Sequence, residues 1–242
     1  MTDLLDPLRQ CALEIRDAVQ SHRGRGFSGL RDTQYHLDVA ADEVARRVLG
    51  GAGLRVVSEE SGVTGSGEYT VVVDPIDGST NCDRGVPFFA TSLAVLRGDE
   101  LVAGLVMNQA TGTRFEAEKG SGAFRDAAAI ATSGQREISA SIMSFSGLPE
   151  RNLGWSQCRA MGAASLEVCL VADGSLDAYA VAQHSTLNPW DYLAGLLVLR
   201  EAGGVAGDYR DEELEVSEMT PRHPVFCASA ELLALLLGAG EV

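Results

Sequence analysis

The chain has 242 residues, of which 45% are hydrophobic and 22% are charged. Its net charge of −15 at pH 7 predicts no binding to nucleic acid or anionic membranes, because both need clustered Lys and Arg. The apolar content excludes intrinsic disorder and suits one globular unit or two subdomains. A small anionic substrate is compatible with this charge only where metal ions or another local positive centre hold it.

Three features predict a cytoplasmic protein. No apolar run reaches the ~18 residues of a membrane span. The N-terminus is acidic, whereas a signal peptide begins with basic residues. The five cysteines are scattered without a CxxC pair, which is typical of a reducing compartment and argues against a disulfide framework.

The first half of the chain predicts two helices followed by short strands. Apolar residues recur at helical spacing over residues 3–21 and again from Val39 to Leu49. The segment between them, from Ser21 to Tyr35, is predicted as a loop. Short apolar β runs separated by glycine follow, with a hairpin turn at Gly98 and Asp99. These runs lie at residues 55–57, 70–73, 90–96, 101–108 and 113–117.

In the second half, helices and strands alternate as in an α/β layer. The fold class is therefore α/β, with an α+β N-terminal half and an α/β C-terminal half. A boundary near Thr132–Arg136 divides the chain into residues 1–134 and 135–242. Strands are predicted at residues 142–145, 176–181 and 225–228, and helices at 164–172, 191–202 and 231–237.

The strongest chemical signal is Val-Val-Val-Asp-Pro-Ile-Asp-Gly-Ser-Thr-Asn at residues 71–81. A β run ends at Asp74, where Pro75 is expected to prevent further strand pairing. Asp77 follows three residues later. Two carboxylates at such a turn, together with the freed carbonyl of Ile76, can bind a hard cation such as Mg²⁺.

The same motif continues into a predicted helix start at Gly78, Ser79 and Thr80. The unpaired N–H groups of a helix start and two hydroxyls can bind phosphate. The alternative is a purely structural Asp-Pro turn with a Ser/Thr cap.

Two further acidic positions lie elsewhere in the chain. Glu59 and Glu60 directly follow a β run, and they form either part of a metal site or a solvated acidic turn. Asp191 opens an apolar helix after Asn188 and Pro189. It is either a metal ligand or the N-cap of that helix, which Pro189 also favours.

Taken in this order, the motifs resemble the inositol monophosphatase family, the Mg²⁺-dependent, lithium-sensitive phosphatases that include fructose-1,6-bisphosphatase. The resemblance implies a layered α-β-α-β-α sugar-phosphatase sandwich with its site in a cleft between the halves. It covers nearly the whole chain. The matching segments are residues 41–43, 59–62, 74–81, 161–164, 172–174, 177–179 and 190–204.

This resemblance implies a role for each acidic residue, with two to three Mg²⁺ per site. The first ion would be held by Glu59, Asp74 and the Ile76 carbonyl, and the second by Asp74, Asp77 and Asp191. Glu59 and water molecules would help to hold a weaker third.

The remaining implied roles are catalytic and substrate-binding. Asp42 and the Ser79 hydroxyl would orient and deprotonate the attacking water, with Glu59 also counted as catalytic. The phosphate would be held by Gly78, Ser79 and Thr80, and the alcohol part would contact Gly162, Ala163 and Ala164. Asp77 and Asp191 also count as substrate-binding residues.

The implied activity is hydrolysis of a small phosphomonoester, foremost myo-inositol 1-phosphate, by a homodimer. Fructose-1,6-bisphosphatase, histidinol-phosphatase and 3′-phosphoadenosine 5′-phosphate phosphatase are alternatives within the same chemistry, and a non-catalytic interaction protein is the alternative from another class. The family usually carries an acidic residue shortly before the Trp-Asp pair, and none lies between Asp177 and Asp191. For a second phosphate, the nearby cations are Arg151 and Arg159.

Overall fold

The computed structural model describes residues 4–21, 26–30, 34–216 and 219–242. Within these ranges the chain forms six α-helices, and each prediction of a helix is confirmed. The helices are α1 (Leu5–Ser21), α2 (His36–Gly51), α3 (Ser79–Arg84), α4 (Ala164–Ala172), α5 (Pro189–Glu201) and α6 (Ala230–Ala239).

The described residues also form thirteen strands in two sheets. The larger sheet contains β1 (Arg55–Ser58), β2 (Gly62–Thr64), β3 (Tyr69–Asp77), β4 (Ala90–Arg97), β5 (Glu100–Asn108), β6 (Arg114–Glu118), β7 (Ala123–Arg125) and β8 (Ala128–Ala129). The smaller sheet contains β9 (Ile142–Ser146), β10 (Gln157–Arg159), β11 (Ala178–Val181), β12 (Val205–Asp208) and β13 (Pro224–Cys227).

Both sheets are mixed. The larger one has the order β2-β1-β3-β4-β5-β6-β7-β8, in which only the β1–β3 pair is parallel among the described strands. The smaller one has the order β10-β9-β11-β13-β12, with β9 parallel to both neighbours. The hairpin predicted at residues 98 and 99 joins β4 to β5.

The helices divide the sheets into layers. On one face of the larger sheet, α1 and α2 bury an apolar stripe that includes Leu8 and Ile15. Helices α4 and α5 lie between the sheets, and α6 covers the smaller sheet from outside with Leu232 and Leu236. The α-β-α-β-α sandwich is therefore confirmed.

Helix α5 is apolar around its whole circumference because it contacts elements on both sides. All residues from 192 to 199 are buried. A Cβ on Gly104 of β5 would lie 2.8 Å from the Ala194 carbonyl oxygen. Glycine at this position lets the backbone of α5 approach β5 directly.

Some predicted bounds are wrong. Helix α2 begins at His36 rather than Val39. Strand β3 does not end at Asp74: after an irregularity it pairs again through Asp77, opposite Ala90. The Thr91 hydroxyl donates to the Pro75 carbonyl at 2.8 Å, so a side chain supplies a hydrogen bond within the bulge. Part of the loop predicted between residues 21 and 35 lies outside the described residues.

The predicted boundary at residue 134 falls in the segment that joins the two sheets. One buried cluster nevertheless contains Val106 from the larger sheet and Tyr179 from the smaller one. The division into two subdomains stays a prediction. Among the described helices, none is both long and apolar enough to cross a membrane.

Candidate active site

Parallel pairing of β1 and β3 brings the first two acidic motifs together. Ser58, the last residue of β1, lies opposite Val73 of β3. The backbone N–H of Glu59 then donates to the Val73 carbonyl at 3.1 Å. Glu59 follows Ser58, and Asp74 follows Val73, so the two acids are neighbours. The sequence predicts this, because each acid directly follows a β run.

A separate chain of contacts places Asp191 beside Asp74. Ser92 of β4 lies opposite Asp74, and its hydroxyl donates to the carbonyl of Trp190 at 2.9 Å. This bond fixes the N-terminus of α5 over the sheet. The N-cap is Asn188, whose backbone N–H donates to Asp191 Oδ2 at 2.6 Å. Asp191 is thus the third helical residue of a capping box, so the N-cap alternative is wrong for this residue.

Asp77 joins the two halves of the molecule. Its Oδ1 accepts the N–H of Ala164 at 3.2 Å, and its Oδ2 accepts the N–H of Ser165 at 2.7 Å together with the Ser165 hydroxyl. These donors belong to the first turn of α4. The carboxylate therefore fixes α4 against the end of β3.

Burial and mutual repulsion make ionisation of these acids less favourable. Burial, then the charges of Glu59, Asp77 and Asp191, hold the pKa of Asp74 well above its usual range. Burial, then Asp77 and Glu59, raise the pKa of Asp191 in the same direction. The pKa of Glu59 rises to about 7, first by burial and then by charges that include Glu60 and Asp77. Burial raises the pKa of Asp77 to about 6, against the lowering effect of its hydrogen bonds.

The donor set fits divalent cations. Asp74 Oδ1 is buried and has no hydrogen-bond partner among the described residues. Such an atom is costly to bury unless a ligand satisfies it. Hard cations prefer carboxylate and carbonyl oxygens, and a bound cation reverses the effect of neighbouring acids on each pKa.

The predicted pairing of Ser79 with Asp42 is wrong. The Ser79 hydroxyl lies 2.7 Å from Asp38 Oδ1 and 2.8 Å from the Ile76 carbonyl oxygen. Asp38 lies one turn earlier than Asp42 on the same face of α2. Burial is the main cause that raises the pKa of Asp38 to about 6, while the Ser79 hydroxyl opposes the rise.

Asp42 instead belongs to a satisfied structural cluster. Its Oδ1 accepts the hydroxyls of Ser58 at 2.6 Å and Ser61 at 2.9 Å. Its Oδ2 accepts from Arg46 Nε at 3.0 Å. These contacts fasten α2 to the end of β1.

The turn at Gly78 packs directly on the loop before α4. Gly78 has a φ of 85°, and a Cβ there would lie 2.8 Å from the Gly162 carbonyl oxygen. The side-chain amide of Asn81 donates to the carbonyls of Phe88 at 2.8 Å and Met161 at 2.7 Å. The predicted phosphate-binding turn and the predicted alcohol-binding loop are therefore in contact.

A cavity of ≈ 400 Å³ opens beside the carboxylates. It brings together five of the predicted substrate residues, since Asp77, Gly162, Ala163, Ala164 and Asp191 all line it. The other lining residues are Phe145, Ser146, Gly147, Leu148, Ala160, Glu167, Tyr179 and Leu187.

Glu167 holds the loop that lines this cavity. Its Oε1 accepts the N–H of Met161 at 3.1 Å and the Ser144 hydroxyl, and its Oε2 accepts the N–H groups of Gly162 at 3.2 Å and Ala163 at 3.3 Å. The side chain is almost completely buried, at 1% exposure. One carboxylate therefore fixes three successive backbone amides of the loop.

Sequence reasoning missed Asp38, Ser165 and Glu167. A signal for Asp38 exists, since its spacing of four from Asp42 puts both on one face of α2. Glu167 was also detectable as an acid within the apolar run of α4, where burial requires hydrogen-bonded partners. No comparable sequence signal marks Ser165.

Comparison with known proteins supports the same interpretation. A model of the inositol monophosphatase family matches residues 38–239. The fructose-1,6-bisphosphatase/inositol-1-monophosphatase of Thermococcus kodakarensis is 35% identical over 223 residues, 89% of this chain and 85% of the relative. The inositol-1-monophosphatase of Caulobacter vibrioides is 33% identical over 196 residues, 73% of this chain and 75% of the relative.

Solved structures agree with the sequence relatives. A protein described as an inositol monophosphatase–fructose 1,6-bisphosphatase superposes with a TM-score of 0.85 at 27% identity, covering 98% of this chain and 99% of the other. The chain belongs to the inositol monophosphatase family. It is accordingly a phosphomonoesterase of a metal-dependent class.

Proposed function

We propose that this chain is a Mg²⁺-dependent phosphatase for the monophosphate of a small polyol, foremost myo-inositol 1-phosphate. One observation carries the proposal. Carboxylates from both halves of the chain converge beside a cavity of ≈ 400 Å³, and burial together with mutual repulsion raises the pKa of Glu59, Asp74 and Asp191.

Such a cluster would repel a phosphate dianion without cations. The atoms suited to hold them are the carboxylates of Glu59, Asp74, Asp77 and Asp191 and the carbonyl oxygen of Ile76. When bound, two to three Mg²⁺ would offset the phosphate charge and act as Lewis acids that make a water molecule more acidic.

Asp38 and Ser79 are the pair that we assign to the attacking water. The Ser79 hydroxyl lies within hydrogen-bond distance of Asp38 Oδ1, so it can accept from a water while it donates to the carboxylate. Asp38 can then take up the proton, because its raised pKa of about 6 suits an acceptor near neutral pH.

The cavity favours a monophosphate over a bisphosphate. Its described lining residues include three acids, Asp77, Glu167 and Asp191, and no Lys or Arg. Arg151 donates to the carbonyls of residues 239–241 at the end of α6, at 2.6–3.1 Å. Arg159 is exposed and donates to Gln157 and to the Cys158 carbonyl. Both cations predicted for a second phosphate are therefore engaged elsewhere.

Fructose 1,6-bisphosphate is the second candidate substrate. It is favoured by the description of the Thermococcus kodakarensis relative, which names both activities. The choice between the two substrates depends on whether the second phosphate can stay in solvent.

The proposal is tested by phosphate release from four esters: myo-inositol 1-phosphate, fructose 1,6-bisphosphate, histidinol phosphate and 3′-phosphoadenosine 5′-phosphate. We expect the highest kcat/KM for the first, with activity abolished by chelator and inhibited by millimolar Li⁺ relative to Na⁺. Preference for a bisphosphate would overturn the substrate assignment. Absence of release from all four with Mg²⁺ present would overturn the assignment to this group of substrates.

We also propose, from the family resemblance, that the protein is a cytoplasmic homodimer. Light scattering at several concentrations measures the mass of the assembly. Fractionation of cells that express the natural gene tests the location.

A further inference from the structure

A second group of metal-ligating side chains lies at the edge of the smaller sheet. One carboxylate oxygen of Asp208, one of Glu212 and one ring nitrogen of His223 all lie within 4.8 Å of one another. Asp208 ends β12, and His223 directly precedes β13. None of the three belongs to the candidate active site described above.

The backbone fixes Asp208 and His223 relative to each other. Strands β12 and β13 are antiparallel, with Asp208 opposite Pro224. Asp208 Oδ2 accepts the backbone N–H of His223 at 2.7 Å, and Oδ1 accepts that of Arg210 at 2.7 Å. Each carboxylate oxygen has two lone pairs, so these bonds leave capacity for a metal.

The imidazole of His223 supplies an independent observation. The residue is 5% exposed, and its Nδ1 is buried without a hydrogen-bond partner among the described residues. A buried polar atom with no partner normally costs stability. The imidazole therefore has one buried nitrogen that no described residue satisfies and a ring nitrogen within 4.8 Å of two carboxylate oxygens, and the two observations together favour a bound ligand over packing alone.

Glu212 is exposed, but the segment that carries it is held in place. Arg222 Nε donates to the Glu213 carbonyl at 2.8 Å, and the Tyr192 hydroxyl donates to the Leu214 carbonyl at 3.1 Å. Glu215 accepts the backbone N–H of Leu101 at 2.7 Å. The backbone is therefore anchored, and the Glu212 side chain can still rotate toward the other two ligands.

We propose that Asp208, Glu212 and His223 bind one transition-metal dication of the zinc class. One imidazole nitrogen and two carboxylate oxygens form a mixed donor set that suits Zn²⁺ better than Mg²⁺, which prefers oxygen alone. Bond lengths of about 2.0–2.2 Å place donor atoms about 3–4 Å apart, slightly closer than the 4.8 Å within which the three donors now lie. Water fills the remaining position.

The bound ion would stabilise the fold rather than take part in catalysis. It joins the end of β12, the start of β13 and the segment from residue 212 to 216, whose Leu214 contacts Tyr192 of α5. An ion that binds the folded chain and not the unfolded chain raises thermal stability in proportion to the logarithm of its concentration.

The test is a Zn²⁺ titration of the full chain in saturating Mg²⁺, followed by Tm and by equilibrium dialysis. We expect one Zn²⁺ per chain and a Tm increase of about 5–10 °C at a hundred times Kd. Glu212→Gln and His223→Gln should each weaken binding by tenfold or more. Glu213→Gln, at the adjacent exposed position, is the matched control and should bind as the parent does.

Two results would overturn the site. One is unchanged Zn²⁺ affinity in Glu212→Gln, a variant that keeps its fold because the side chain is exposed. The other is release of the bound Zn²⁺ when the Mg²⁺ concentration alone is raised. Competition between the two ions would show that Zn²⁺ binds in the oxygen-lined active site. Co²⁺ offers a second readout: its visible spectrum should show a nitrogen ligand in the parent that disappears in His223→Gln.

Discussion

Two buried carboxylates, Glu116 and Asp74, show how differently this fold treats acidic groups. Glu116 of β6 accepts two hydrogen bonds from Arg9 of α1, from Nε and Nη2 at 3.0 Å each. Asp74 of β3 instead has Glu59, Asp77 and Asp191 as its charged neighbours. Glu116 is also paired with Arg114 at 2.8 Å, so one carboxylate has two cations of the chain beside it, and the other is surrounded by further acids.

The difference separates stability from function. An ion pair such as Glu116–Arg9 holds a helix against a sheet and needs nothing else. A cluster such as that around Asp74 is unfavourable by itself. It persists because the other contacts of the folded chain hold these acids in place. Groups with strongly shifted pKa values in a cavity are where catalysis and binding concentrate.

The largest expected effect is that of Asp191→Asn. The asparagine side chain can still accept the hydrogen bond from the Asn188 N–H, so the helix start is kept. It removes a negative charge from the proposed metal site. We expect turnover at saturating Mg²⁺ to fall at least a hundredfold, ~2.7 kcal/mol in barrier. In chelator the Tm should stay unchanged or rise, because repulsion with Asp74 and Asp77 is relieved.

Glu116→Gln is the matched change in the other region. It removes the same charge from a buried carboxylate, and it weakens the pairing of residue 116 with Arg9 and Arg114, while Arg9 keeps its contact with Asp6. We expect a stability loss of about 1–3 kcal/mol with turnover per folded molecule unchanged. Near-normal turnover in Asp191→Asn, or a hundredfold loss in Glu116→Gln, would remove the distinction between the two regions.

The next largest effect tests whether Asp38 or Asp42 is the catalytic residue. Asp38→Asn should lower turnover about a hundredfold, the lower end for a positioned proton acceptor. Asp42→Asn should change turnover less than threefold and cost about 1–2 kcal/mol of stability, since it weakens bonds to Ser58, Ser61 and Arg46. Turnover and Tm measured on both variants decide the assignment. The reverse pattern would restore Asp42 as the catalytic residue.

Asp38 and Asp42 also show which part of the site the sequence does not predict. The Asp-Pro-Ile-Asp motif and the Glu59–Glu60 pair follow strands, and the ends of neighbouring strands meet, so their clustering was predictable. Asp38 and Asp42 lie on the same face of α2, and no pattern in the sequence tells which turn reaches Ser79. That depends on how α2 packs across β1 and β3.

The substrate side was less predictable for a similar reason. The lining role of residues 162–164 came from a family resemblance, and the carboxylate of Glu167, which holds the loop, lies in the first turn of α4. Glu167 meets three backbone amides only because the loop folds back over the helix N-terminus. These bonds span only four to six residues, but bonds between a side chain and the backbone of a loop leave no periodic trace in the sequence.

A smaller effect is expected for Glu167→Gln. The amide group can accept with its oxygen, but its nitrogen would face an N–H group of the loop formed by Met161, Gly162 and Ala163. We expect KM for the polyol phosphate to rise about tenfold, ~1.4 kcal/mol, while kcat changes less than threefold. Steady-state kinetics separate the two constants. A loss confined to kcat would show that Glu167 acts on the reacting groups rather than on the alcohol-binding loop.

The smallest effect is a pH dependence of Tm in chelator. The pKa is raised to about 6 in Asp38 and Asp77 and to about 7 in Glu59, from ordinary values of 3.8 and 4.5. The folded chain therefore binds these protons more tightly than the unfolded chain does. The stability that they contribute is present below about pH 4 and is lost as pH rises through 6 to 7. Tm should fall by a few degrees between pH 5 and 7.5.

The two regions should differ in this dependence as well. Saturating Mg²⁺ should abolish the fall, because cations replace the protons among the acids. Asp191→Asn should reduce it by relieving repulsion, whereas Glu116→Gln should lower Tm equally at every pH in this range. A Tm in chelator that is flat from pH 5 to 7.5 would mean that the acids around Asp74 keep ordinary affinities for protons. The cluster would then lack the repulsion between carboxylates on which its assignment as a metal site rests.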